Sequence, residues 1–237
     1  MTADHSEKSQ ALDRLLPPEW TTDRPITDQT AIDLSLGTGY TGWILTLLQL
    51  IQLAQAHKRI YQNVSELSQV IDQYVDFLLT HQLPLDAEKE NYSFFPTSIV
   101  KAEWEITNDV SWSTGDIGQL VLLYKAGQLL QRPEVIQCAD RLSGYLLQRR
   151  LLNRVKNDQL GLTDGVSGLS LVYRQLFLLT NRLEFLTEGY YWLNQLLTRI
   201  EAGDYGPDQS LLIGTLGIHG TLRQWLGKDI SLDLLFL

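Results

Sequence analysis

The sequence is short of the residues that build reactive and metal centres. Cysteine occurs once, at Cys138, and histidine four times, at His5, His57, His81 and His219. A single cysteine excludes an intramolecular disulfide and makes a reducing, cytoplasmic setting the expectation. No two of the histidines stand at metal-ligand spacing, so they define no zinc site. Positive charge is also scarce: 19 Lys and Arg against 28 Asp and Glu leave a formal net charge of -9. Polyanionic partners select for Lys and Arg, which argues against nucleic acid and anionic membrane surfaces. No apolar run reaches the roughly 18 residues of a membrane span. Met1 to Arg24 is polar with no apolar centre, so no signal peptide is expected. There is no Walker sequence, no Gly-x-Gly-x-x-Gly fingerprint and no Cys-x-x-Cys pair.

What is present is a glycine phrase that recurs four times, each time opening an apolar helix. It reads Gly39-Tyr-Thr-Gly42, Gly115-Asp-Ile-Gly118, Gly165-Val-Ser-Gly168 and Gly214-Thr-Leu-Gly217. The first glycines are 76, 50 and 49 residues apart, the period of a repeat architecture. Glycine suits such places because it allows close backbone approach and positive φ.

Between the glycines the apolar residues keep helical spacing. Tyr40, Trp43, Ile44, Leu47, Leu48 and Ile51 form one stripe, and Val64, Leu67, Ile71, Tyr74, Val75 and Leu78 a second. The pattern returns in pairs over 116–130 with 134–150 and 166–180 with 183–201. A last helix at about 215–227 precedes the Leu-rich tail at 232–237. The first helix of each pair is the more apolar and belongs in an inner layer. One hairpin cannot cover its own apolar face, so neighbours must stack. The expected fold is all-α, an array of four helical hairpins over 31–237. Residues 1–30, with Pro17, Pro18 and Pro25, read as an extended or partly disordered arm. From residue 31 the reading is helical, with no convincing strand, and 84–112 reads as a long packed loop.

In this order the segments resemble the lanthionine synthetase C-like proteins. Ser35-Leu-Gly-Thr-Gly39 is similar to that family's Ser-x-Ala-His-Gly turn. Phe94-Phe95-Pro96 with Val110-Ser-Trp-Ser-Thr-Gly-Asp-Ile-Gly118 is similar to the stretch entering its Trp-Cys-Tyr-Gly-Asp-x-Gly motif. Gly161-Leu-Thr-Asp-Gly-Val-Ser-Gly168 is similar to its Gly-Leu-Cys-His-Gly-x-x-Gly motif, and Leu211 to Gly217 with the tail to its last repeat. The resemblance implies part of an α/α toroid, the last four of seven hairpins. The family's zinc enzymes join cysteine thiols to dehydrated Ser or Thr in a peptide.

The reactive positions depart from that pattern. Where the family holds zinc with two cysteines and a histidine, this chain has Ser113, Thr163 and Asp164. Neutral hydroxyls are poor zinc ligands. The turn histidine proposed as acid/base corresponds to Thr38, and an arginine near the first zinc cysteine to Asp109. The resemblance therefore implies a chain without the family's zinc, with no cofactor and no catalytic residue. The expected role is a binding or scaffold subunit in modification of a ribosomally made peptide. Its binding groove is expected around Thr38, Asp109, Ser113, Thr163, Asp164 and His219. An open array exposes two apolar ends, so a dimer or a complex with a second protein is expected.

Two other readings stand beside this one. Asp164, Asp109 or His219 could serve a metal-independent acid/base enzyme acting on a peptide. Alternatively, the repeats form an interaction module unrelated to peptide modification. Asp116, at a helix start, is expected to stabilise exposed N–H groups and the helix dipole. Cys138 is expected to be a buried structural thiol.

Overall fold

A computed structural model describes residues 31–56, 64–84, 91–101, 103–151 and 159–228. The expected N-terminal arm, the Leu-rich tail, His5 and His57 lie outside the described residues. Among the described residues there are seven helices: α1 (Tyr40–Ala56), α2 (Val64–Thr80), α3 (Asp116–Leu129), α4 (Pro133–Leu151), α5 (Val166–Thr180), α6 (Leu183–Glu201) and α7 (Thr215–Trp225). The chain is all-α in class, as its periodicity predicts. Helix α1 packs on α2, α3 on α4 and α5 on α6, which gives three hairpins. The inner helices α1, α3, α5 and α7 also pack on one another in series. Helix α3, between two hairpins, is buried along nearly its whole length. None of these helices is long and apolar enough to cross a membrane.

Strands are the first correction. A small antiparallel sheet in the order β1-β2-β3 joins Ala31–Asp33 (β1), Ser98–Val100 (β2) and Glu103–Glu105 (β3). Ile32 pairs with Ile99 and Ile99 with Trp104. Ile32 and Ile99 are buried while Trp104 is half exposed. Residues 31–33 are therefore not helical, and 84–112 is not simply a loop. Three residues are too few for strand alternation to show in a sequence.

The hairpins are also clamped by charge at matching places. Arg132, just before α4, reaches Asp72 at 2.6 Å and Asp76 at 2.8 Å on α2, and Glu134 at 2.7 Å. Arg182, just before α6, repeats this with Asp140 on α4 at 2.7 Å and Glu184 at 2.6 Å. These groups are partly or fully solvated, so the pairs add little stability and mainly fix register.

Cys138 is buried on α4, and burial pushes its thiol above the ordinary range. The thiolate is the reactive form. The native protein should therefore leave Cys138 unmodified by a thiol reagent over a time in which the urea-unfolded chain reacts to completion. Equal rates in the two states would contradict this packing.

Candidate functional site

Three of the four glycine turns share more than their glycines. Six residues before the first glycine stand Asp33, Asp109 and Asp208, and four before it Ser35, Ser111 and Ser210. In each, the serine N–H donates to the aspartate Oδ1, at 2.8, 2.9 and 2.6 Å. The serine Oγ then accepts the N–H of the residue just before the glycine: Thr38, Thr114 or Ile213. Thr38 and Thr114 also donate their hydroxyls to the aspartates, at 2.7 and 2.9 Å. Asp and Ser side chains stabilise turns through such local bonds to the backbone. Asp-x-Ser-x-x-Thr-Gly is thus the full phrase at the first two turns. The reading of glycines alone missed Asp33 and Asp208, although the spacing repeats.

The glycines serve close approach. A Cβ at Gly115 would lie 2.6 Å from the Asp109 carbonyl oxygen, and one at Gly214 2.6 Å from Asp208 Oδ1. At Gly42, Gly168 and Gly217 it would overlap the carbonyl oxygens of Leu36, Leu162 and Leu211. Positive φ is not the reason. Gly115, Gly165 and Gly214 have φ of -89, -114 and -109, which any residue can adopt. Among the described glycines only Gly203 and Gly227 have positive φ.

Successive turns are joined by a main-chain ladder. Leu36 N–H and Gly37 N–H both donate to the Ser113 carbonyl at 2.9 Å. Ser113 N–H donates to Thr163 O at 3.1 Å. Leu162 N–H and Thr163 N–H donate to Leu212 O at 2.7 and 3.1 Å. Non-adjacent parts of the sequence thus meet at one end of the inner helices.

The third turn is built differently, and this shapes the site. Gln159 and Gly161 replace the Asp and Ser, while Asp164 occupies the place held by threonine in the first two turns. Its carboxylate is not engaged by a serine of its own turn. Instead Asp164 accepts a short hydrogen bond from the Ser113 hydroxyl of the neighbouring turn. Ser113, Thr163 and Asp164 therefore meet, with Gly37 against Ser113 and Thr38 beside it. Asp109 does not join them, because both its oxygens hold its own turn. His219 is exposed on α7 and makes no hydrogen bond to the turn residues.

As a donor set, two hydroxyls and one carboxylate, with Ser113 already donating to Asp164, fit zinc poorly. Among the described residues no three His, Cys, Asp or Glu side chains are grouped as a metal's ligands would be.

Asp116 departs from expectation. It opens α3, yet its carboxylate does not cap that helix. It is buried and accepts the N–H groups of Phe94 at 2.9 Å and Phe95 at 3.0 Å. The buried Arg149 of α4 lies 3.3 Å away and also donates to Asn108 O at 2.5 Å. Burial pushes the Asp116 carboxyl up to about 6, against the opposing pull of the Phe94 N–H and Arg149. Asp116 therefore anchors Phe94 and Phe95, in the segment that leads into β2.

Inner helices in series, an outer helix against each of the first three and a ladder of turns define an all-α protein of tandem helical hairpins. A family model described as Lanthionine synthetase C-like protein matches residues 22–235, and the chain belongs to that family. Comparison with curated proteins gives no match.

Proposed function

We propose that this chain is a zinc-free, non-catalytic member of its family. It binds a peptide or a protein partner, as a scaffold in modification of a ribosomally made peptide. The observation that carries this reading is the contact of Ser113 with Asp164 beside Thr163, at the places where the family keeps its zinc ligands. A lanthionine cyclase activates its thiol nucleophile by lowering the thiol pKa on a metal, and zinc is held for such work by Cys, His and carboxylate side chains. Hydroxyls do not substitute for them. The turn framework is nevertheless intact, which supports a retained surface for binding. The contact of Ser113 with Asp164 marks this surface, whose expected lining is Thr38, Asp109, Ser113, Thr163, Asp164 and His219. The acid/base alternative gains nothing from Asp109, whose carboxylate is occupied by its own turn.

Elemental analysis after dialysis without chelator tests the reading. The expected result is no stoichiometric zinc; one zinc per chain would return a cyclase mechanism to the front. A gain-of-site variant sharpens the test. Combining Ser113→Cys, Thr163→Cys and Asp164→His should give a chain that retains about one zinc.

A further inference from the structure

The two ends of the repeat array are unlike, and each matches what the other end lacks. At the joint between the first two hairpins, Leu36 of the first turn lies against Gly118, where a Cβ would come within 2.7 Å of it. Gln119 next to that glycine donates to Leu34 O at 2.9 Å. At the last joint, Leu162 of the third turn lies 3.0 Å from the equivalent point on Gly217. At these two of the three joints a turn leucine seats on the second glycine of the following turn; at the middle joint Trp112 stands in the leucine's place.

Among the described residues the array begins and ends with this joint half made. At the first hairpin the receiving surface is Gly42 and Trp43, the counterparts of Gly118 and Gln119. Trp43 is 51% exposed, whereas Gln119 and Leu169 at its place in the next two hairpins are buried. Leu50 is exposed too, where Ala126 and Leu176 are buried. A cleft of about 310 Å³ runs beside Gly42 and Trp43. At the last turn the donating surface is Leu211, the counterpart of Leu36 and Leu162. It is 43% exposed, while both counterparts are buried. The ladder is open in the same sense. Leu211 N–H and Leu212 N–H, the counterparts of the donors Leu36 and Gly37, make no hydrogen bond among the described residues, and neither does Gly37 O, the counterpart of the acceptor Ser113 O.

We propose that a second copy of this chain completes the joint. Leu211 of one copy seats against Gly42 and Trp43 of the other, and its Leu211 and Leu212 N–H groups donate to Gly37 O. The contact joins two different surfaces, and the smallest assembly that leaves neither surface open is two copies making it twice about a twofold axis. The apolar area at both ends and the match of donors to acceptor select this occupant over an unrelated protein. The inference gives the scaffold reading above its partner, but it rests on the repeat joints and not on the zinc reading.

Light scattering on the 237-residue chain tests it. The expected mass is twice 27.0 kDa. Trp43→Glu and Leu211→Glu each block one of the two surfaces at an exposed position. Each should weaken the dimer by at least about tenfold in Kd while leaving the far-ultraviolet dichroism unchanged. Mixing the two variants should restore a dimer, because one intact joint remains between them. A monomeric wild type, or a dimer indifferent to both substitutions, overturns the proposal. Failure to rescue on mixing overturns the unlike-ends geometry. A zinc-loaded dimer would refute only the zinc-free reading, and a zinc-free monomer only this one.

Discussion

Gly168→Ala should lower the stability of the protein by about 3 kcal/mol, the upper part of the range for forced overpacking. The melting temperature should fall by about 10 °C for a chain of this size. The added Cβ would overlap the Leu162 carbonyl oxygen and lie 2.8 Å from the Leu162 carbonyl carbon. Both are backbone atoms, and they cannot swing aside as a side chain can. The Leu162 turn is also pinned, because Leu162 N–H donates to Leu212 O in the ladder. Relief requires a shift that reaches the fourth turn, ahead of α7. Gly144→Ala is the matched control. Gly144 lies exposed within α4, and a Cβ there meets nothing within 4 Å. Removing the conformational freedom of a helical glycine should stabilise by about 0.5–1 kcal/mol. Thermal melts of the two variants should therefore move in opposite directions. If Gly168→Ala melts within a degree or two of the wild type, the close approach is not a determinant of the fold.

Asp116→Asn should be comparably damaging, at about 3–5 kcal/mol, through a different mechanism. Above about pH 6, where the carboxyl is ionised, removing it leaves the buried Arg149 charge uncompensated. Here the buried Arg149 would keep its bond to the Asn108 carbonyl but lose its carboxylate. The new amide would also turn an N–H donor toward the N–H of Phe94 or Phe95, where the carboxylate now accepts from both. The segment that carries the Phe pair would lose its anchor to α3. Urea unfolding measures the loss directly. Adding Arg149→Met should recover part of it, because an apolar side chain removes the stranded charge.

The pH dependence of this residue has a definite sign. Burial raises the Asp116 carboxyl to about 6 in the folded chain, above its value of about 3.9 when unfolded. The folded state therefore holds the proton more tightly. This contribution to stability is fully present below about pH 4 and is lost as pH rises through about 6. Other carboxylates titrate alike in wild type and Asp116→Asn, so the difference between the two isolates this one. The wild-type advantage in urea should shrink from pH 4 to pH 6, by at most about 1.4 kcal/mol per pH unit. An advantage that grows over that range would mean that Arg149 and the two amides hold the carboxyl ionised.

The sequence by itself determined the helices and their order. A stripe at helical spacing must be buried on one side, and a backbone approach that excludes Cβ leaves glycine as the residue that fits. Those requirements are local, so they are written at a fixed period that one sequence reveals. The same locality makes the Asp-Ser bonds of the first, second and fourth turns legible once the phrase is extended back to Asp33, Asp109 and Asp208. The short strands were not legible, because three residues carry no recognisable alternation. Tertiary structure alone decided the role of Asp116, since Phe94, Phe95 and Arg149 are 22, 21 and 33 residues away. It also decided the contact of Ser113 with Asp164 across 51 residues. The chemistry of such groups is set by what desolvates them and what they face. Both depend on how the hairpins stack, and the sequence states that only through the fold.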